Sequence, residues 1–213
     1  MLLKPFGFNR KAAAAGGGIT ITHITDVPYN EDNSSSYTFA GVDIGNLAIT
    51  HAKRASGSST PVGVTIDGNA AAEVFTDDWG AQATSIWYAA AATTGGTGDV
   101  VTDYTGSSMT RAFVRVMDVQ GADMSAPFAT FVDNNNDNVA ASVTVTTVPV
   151  GGAIIAATRG FSGVTGLANT ILTGDDPQVA WEVFPSGASS VAVTGVNAGV
   201  IDQDLVVIVL SPA

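Results

Sequence analysis

Val42-Asp43-Ile44-Gly45-Asn46-Leu47-Ala48-Ile49-Thr50-His51-Ala52-Lys53 lines up with Val148-Pro149-Val150-Gly151-Gly152-Ala153-Ile154-Ile155-Ala156-Ala157-Thr158-Arg159. A looser copy, Val200-Ile201-Asp202-Gln203-Asp204-Leu205-Val206-Val207-Ile208-Val209-Leu210, follows near the C-terminal end. Each copy sets an apolar residue before a polar or Gly-bearing turn and then an apolar run rich in β-formers. Glycine in the turn supplies positive φ, and Asn and Asp bond the local backbone. The run that follows is too short and too apolar to be anything but a largely buried strand. Three such strands, early, middle and late, are expected to be the inner strands of a β-sandwich.

Outward from the cassettes the pattern stays β. Residues 19–24 alternate apolar and polar, 26–36 read as a polar loop, and 37–40 lead as a short strand into the first cassette. Val62 to Ile66 ends on Asp67-Gly68, a hairpin signal. Residues 83–92 hold Ile86, Trp87 and Tyr88 and read as strand, with Gly95-Gly96-Thr97-Gly98 as a glycine-rich turn. Strands follow at 99–104 and 110–119. In the latter, Ala112, Val114 and Val116 suit the core, while Arg111, Phe113, Arg115 and Met117 point the other way and form a candidate contact face. Residues 121–138 read as the longest irregular stretch and 161–167 as a glycine-punctuated loop. Further strands are expected at 169–172, 178–184, 190–195 and 204–210. No helical period persists for three turns, and loops separate strands at the spacing of a sandwich or barrel.

The expected fold is therefore all-β: a single antiparallel, jelly-roll-like sandwich over residues 19–213, preceded by an extended arm over 1–18. The copies fall at irregular spacing, which argues against a solenoid or propeller. In a chain of 213 residues roughly 70% of the unfolded surface disappears on folding, enough for a sizeable core. The arm carries Lys4, Phe6, Phe8, Arg10 and Lys11, more cations and aromatics than a spacer needs, and reads as an anchor. Its charge is +3, so a total of −11 leaves −14 for the rest. An acidic body disfavours nucleic acid and anionic membrane. With no cysteine, disulfides and thiolate chemistry are excluded. Lys4, Pro5, Arg10 and Lys11 interrupt any signal-peptide core, so the expectation is a soluble protein made in a cytoplasm.

Motifs that carry chemistry are sparse. Asp133, Asn135 and Asp137 open like a calcium loop, but Asn138 stands where a glycine is wanted, and the twelfth position is Thr144 rather than a bidentate Glu. A plain turn is the expectation, with no cofactor. His23 and His51 sit in phase with inward residues and read as satisfied core-edge histidines. Asp77-Asp78 and Asp175-Asp176 read as solvated loop acids. No nucleophile elbow or phosphate loop is present in the sequence, and no enzyme is expected.

Four stretches carry a family likeness. They are Gly45-Asn46-Leu47-Ala48-Ile49-Thr50; Ile86-Trp87-Tyr88 with its glycine-rich turn; Arg111 to Gly121 running into Ala122-Asp123-Met124-Ser125-Ala126-Pro127; and Leu205 to Pro212. Through them the chain resembles Gly/Ala-rich β-sandwich structural proteins of tailed bacteriophages and gene-transfer-agent-like particles. The resemblance implies a non-enzymatic virion protein, assembled in the host cytoplasm. Its implied role is a capsid decoration or head fibre docked by its arm on the major capsid protein or another virion subunit, as a homo-oligomer. The alternative is a carbohydrate- or receptor-binding module of a tail appendage, with Trp79, Trp87 or Trp181 as a stacking platform.

Overall fold

In the computed structural model the described residues are 18–30, 34–54, 61–79, 82–90, 92, 95–105, 109–135, 140–159, 161–171, 178–197 and 203–213. The first half of the chain contributes β1 (Thr20–Asn30), β2 (Ser36–Asp43), β3 (Leu47–Arg54), β4 (Pro61–Ile66), β5 (Asn69–Ala70), β6 (Ala72–Trp79), β7 (Gln82–Tyr88), β8 (Thr97–Tyr104) and β9 (Met109–Gln120). The second contributes β10 (Ala129–Asn135), β11 (Ser142–Val145), β12 (Gly152–Arg159), β13 (Phe161–Thr165), β14 (Asn169–Ile171), β15 (Gln178–Phe184), β16 (Val191–Asn197) and β17 (Gln203–Leu210). No helix occurs among the described residues.

The all-β expectation holds, but the strands form four antiparallel sheets rather than the two of a single sandwich. Their orders are β1-β9-β3-β7-β6, β2-β8-β4-β5, β10-β17-β12-β15-β14 and β11-β16-β13. Strand for strand, the third sheet repeats the first, and the fourth repeats the β2-β8-β4 part of the second, which carries β5 besides. Registers repeat as well: Leu47 lies between Met117 and Tyr88, and its cassette equivalent Ala153 lies between Leu210 and Val183. Two cassettes are thus one strand position used twice, β3 and β12. The looser third copy is β17, the equivalent of β9.

Core clusters fix the stacking. Ala48, Ala52, Val114 and Val116 pack with Tyr37, Phe39, Val64 and Val100 between the first and second sheets. Ile154, Ala156, Val207 and Val209 pack with Val143, Val145 and Val193 between the third and fourth. The remaining parity meets in the middle, where Leu47, Ile49, Ile86, Met117 and Val119 touch Ala153, Ile155, Val179, Ile208 and Leu210. The layers therefore run second, first, third, fourth. Each inner sheet is covered on both faces, so every residue of β12 is buried. That is why 153–157 and 205–210 are continuous apolar runs rather than alternating ones.

Glycines explain why the cassettes begin as they do. A Cβ on Gly45 would fall on the backbone carbonyl of Met117, and one on Gly152 would sit 2.7 Å from the carbonyl oxygen of Leu210. The two glycines hold neighbouring rather than matching cassette positions, since Gly152 aligns with Asn46, but each meets the carbonyl of an equivalent residue on the adjacent strand, and only glycine fits. The predicted Asp67-Gly68 hairpin is present, with φ of 49° and 74° joining Ile66 to its partner Asn69, as a two-residue primed turn requires.

Four loop expectations are corrected. Residues 26–30 continue β1 against β9, with register shifts at His23/Thr25 and Val27/Asn30. Asp77 and Asp78 lie within β6, and 161–165 form β13 despite their glycine. Residues 129–135 form β10, paired along β17.

Candidate functional site

Charged side chains collect where the two inner sheets face each other. His51 continues the parity of Leu47 and Ile49 on β3, and Arg159 that of Ala153, Ile155 and Ala157 on β12. Asp204 continues that of Val206, Ile208 and Leu210 on β17. Alternation therefore carries all three into the central layer. His51, Arg159 and Asp204 are 2%, 0% and 0% exposed.

Asp204 accepts a hydrogen bond from the Arg159 backbone N–H at 3.2 Å, and its Oδ2 lies 3.7 Å from Arg159 Nε. From the opposite sheet, the negative charge of Asp77 on β6 adds to the burial that raises the Asp204 carboxyl. Asn134 of β10 donates to Asp77 Oδ1 at 3.2 Å. Burial first, and then the neighbouring Asp77, push the Asp204 carboxyl up to about 7. His51 contacts Thr84 through Nδ1 at 3.2 Å and tilts against the Phe113 ring at 5.9 Å. Burial, with Arg159 and Lys53 nearby, pushes its imidazole down to about 3. These contacts help to fix the two inner sheets in register.

The β9 contact face read from sequence is corrected. Arg111 is exposed, but Phe113 and Arg115 are buried at 5% and 3%. With Met117 they face the second half of the same chain, so that face is already covered from within. Lys4, Phe6, Phe8, Arg10 and Lys11 lie outside the described residues, as do Asp137 and the Asp175-Asp176 pair. Asp133 and Asn135 belong to β10, and Asp133 Oδ2 accepts the Ser142 N–H at 2.7 Å; a strand edge replaces the expected turn. Among the described residues no group of three His, Cys, Asp or Glu could hold a metal. His23 is half-buried on β1. Trp87 is buried and donates to Ser85 Oγ at 2.7 Å, while Trp181 packs, partly buried, against the central core. The Trp79 side chain lies outside the described residues.

Sequence reasoning missed Arg159 and Asp204. Their signal is parity: each continues an inward-facing apolar series at the end of a run, where an outward charge would have broken step. No family model, curated protein or solved structure matches the chain.

Proposed function

We propose that the chain is a non-enzymatic structural protein of a tailed phage or phage-like particle, a decoration or head fibre held on the major capsid protein by its arm. The observation that supports this reading is strand order. Counting β5 and β6 as one interrupted strand, each half runs first-eighth-third-sixth-fifth in its inner sheet and second-seventh-fourth in its outer one. We read this as a jelly roll made twice, an architecture shared by viral capsid and lectin domains. The sugar-binding alternative needs an exposed indole; burial of Trp87 and core packing of Trp181 favour the virion reading.

A four-layer body with both inner sheets covered suits a part that bears load through many copies, where modest contacts add by multivalency. Gold-labelled protein should decorate intact particles at regular positions. Removal of residues 1–18 should abolish incorporation while leaving the circular dichroism of the body unchanged. A truncated chain that still joins particles sinks the proposal.

A further inference from the structure

Exposed apolar side chains and an absence of charge coincide at one end of the second half. The Asn134–Asp77 bond joins the two halves at the end where β6 and β10 stop. At the other end they are joined by the Ala122–Pro212 bridge and by the Asp123 N–H on the Ser211 carbonyl at 2.9 Å. There, where β12 begins and β17 stops, the connections of the second half converge. The Phe128 N–H bonds the Val209 carbonyl at 2.8 Å, the Gly151 N–H bonds the Phe184 carbonyl at 3.0 Å, and a Cβ on Gly151 would lie 3.1 Å from Pro212 Cγ. The tip so formed leaves Phe128 and Val150 51% and 72% exposed, and Pro185 and Pro212 are exposed on the same connections. Residues 124–132, 138–158, 183–201 and 205–213 contain no Asp, Glu, Lys or Arg, in a chain of net charge −11. A lone exposed valine is ordinary surface; large apolar side chains gathered on an uncharged tip form a patch.

Where the chain enters the fold says what covers it. Ile19 is buried in the central cluster with Val119, Met124 and Leu210, and Thr20 pairs with Gln120, so Gly18 stands at the same end as the tip. Residues 1–17, outside the described residues, lead into that point. They hold Leu2, Leu3, Phe6 and Phe8, the cations Lys4, Arg10 and Lys11, and no acid. The body is complementary. Asp118 and Asp123 flank the point of entry. Every other charge at this end among the described residues is also acidic: Asp43, Asp67 and Asp99 on the first half, and Glu73 and Glu182 further along their strands. The cations of the strands lie elsewhere, Lys53, Arg54, Arg111 and Arg159 at the far end and Arg115 midway along β9. Phe8 lies ten residues before Gly18, a reach of up to about 33 Å, while packed layers are about 10 Å apart.

We infer that residues 1–17 turn back on their own chain and cover this tip, setting Phe6 and Phe8 on Phe128 and Val150 and their cations toward Asp118 and Asp123. A tethered segment acts at an effective concentration on the order of millimolar, so modest contacts hold it in place. The contact belongs to the free chain and goes beyond the particle reading; an arm that joins a capsid must first leave the tip.

The chain has no cysteine, so a single introduced thiol reports cover at a chosen place. Val150→Cys in the full chain is labelled with a maleimide, alone and combined with Phe6→Ser and Phe8→Ser. The control is Val62→Cys, at a position 58% exposed next to the Pro61–Tyr104 pair at the far end. A contact of about 0.1 mM, set against an effective concentration of about 1 mM, covers the tip about nine-tenths of the time. The serine pair should therefore speed labelling at 150 about tenfold and leave labelling at 62 unchanged. The slower rate of the parent should be the same in dilute and concentrated protein. Equal rates at 150 with and without the phenylalanines overturn the inference, as does a matching change at 62, which would report the body rather than the tip. A slowing that grows with protein concentration overturns it too, since it would put a second copy's arm there. None of these results touches the particle reading, which is decided on particles.

Discussion

Replacing Asn46 by alanine tests how the cassette closes onto its neighbour. Asn46 is 5% exposed, donates from Nδ2 to the Val119 carbonyl at 2.7 Å and accepts the Val119 N–H on Oδ1 at 2.8 Å. Its amide acts as a short piece of strand, extending the β3–β9 pairing past the register that begins at Leu47 and Met117. Alanine removes both bonds and leaves a buried N–H and a buried C=O without partners. Each lost bond is worth about 1 kcal/mol net, and each stranded group about 1–3 kcal/mol of desolvation. Because the two overlap, the expected loss is about 3 kcal/mol. Equilibrium urea denaturation should show it as a lower midpoint with an unchanged slope.

The second half supplies the control for this reasoning. There the cassette carries Gly152 where the first carries Asn46, and the strand partner equivalent to Val119 is Pro212, which has no N–H to satisfy. The two differences go together. A loss below about 1 kcal/mol for Asn46→Ala would mean that water reaches Val119, and the account of the amide as a strand surrogate would be wrong.

Other substitutions probe other layers. Gly45→Ala and Gly152→Ala should each destabilise by about 3 kcal/mol or more in chemical denaturation, because backbone oxygens cannot move aside as side chains can. Gly63→Ala, where the nearest atom would be Asp103 Oδ2 at 3.9 Å, should change little. Ile155→Ala or Ile208→Ala, each truncating a fully buried side chain of the central core, should cost about 2–5 kcal/mol by the same measurement. Val150→Ala, at 72% exposed, should stay within about 0.5 kcal/mol. Burial pushes the Tyr104 phenol from 10.0 up to about 12. Stability linked to it is full below 10.0 and falls as pH rises toward about 12, so Tyr104→Phe should flatten the alkaline limb of an unfolding profile.

Strands buried on both faces were the most legible, because a doubly covered strand must be apolar throughout; β12 and β17 announce themselves this way. The glycine that opens each cassette was legible as a turn, though not as a close approach to the neighbouring strand, since nothing local reveals which carbonyl passes it. Edge strands were hidden. Asp133 to Asn135 have turn-forming composition, yet β17 supplies their backbone partners and Ser142 bonds the Asp133 carboxylate. Tertiary pairing overrides propensity there. Asp77 has the composition of a turn acid for the same reason, and only the opposite sheet, where Asn134 donates to it, shows it to lie at the seam between the halves. The repeat shows in the sequence only as two matching cassettes, since the strands around them differ in length: β5 and β6 occupy ten residues where β14 covers three among the described residues.

The halves share an order of strands but not the side chains they present to each other, and that difference decides how they pair. At matching steps β3 shows Leu47, Ile49 and His51, whereas β12 shows Ala153, Ile155 and Ala157. β9 shows Phe113, Arg115 and Met117, whereas β17 shows Val206, Ile208 and Leu210. Two copies of the first half face to face would bury a pair of Arg115 guanidiniums and two histidines in one layer, a like-charge arrangement that the interior resists. Two copies of the second would meet alanine with alanine on β12 and leave space that bulky partners should fill. Only the unlike pairing sets the large side chains of β3 against the small ones of β12, and only it brings Asp77 to Asn134 of β10. A specificity that lies in what the wrong pairing costs gives the chain a single way to close.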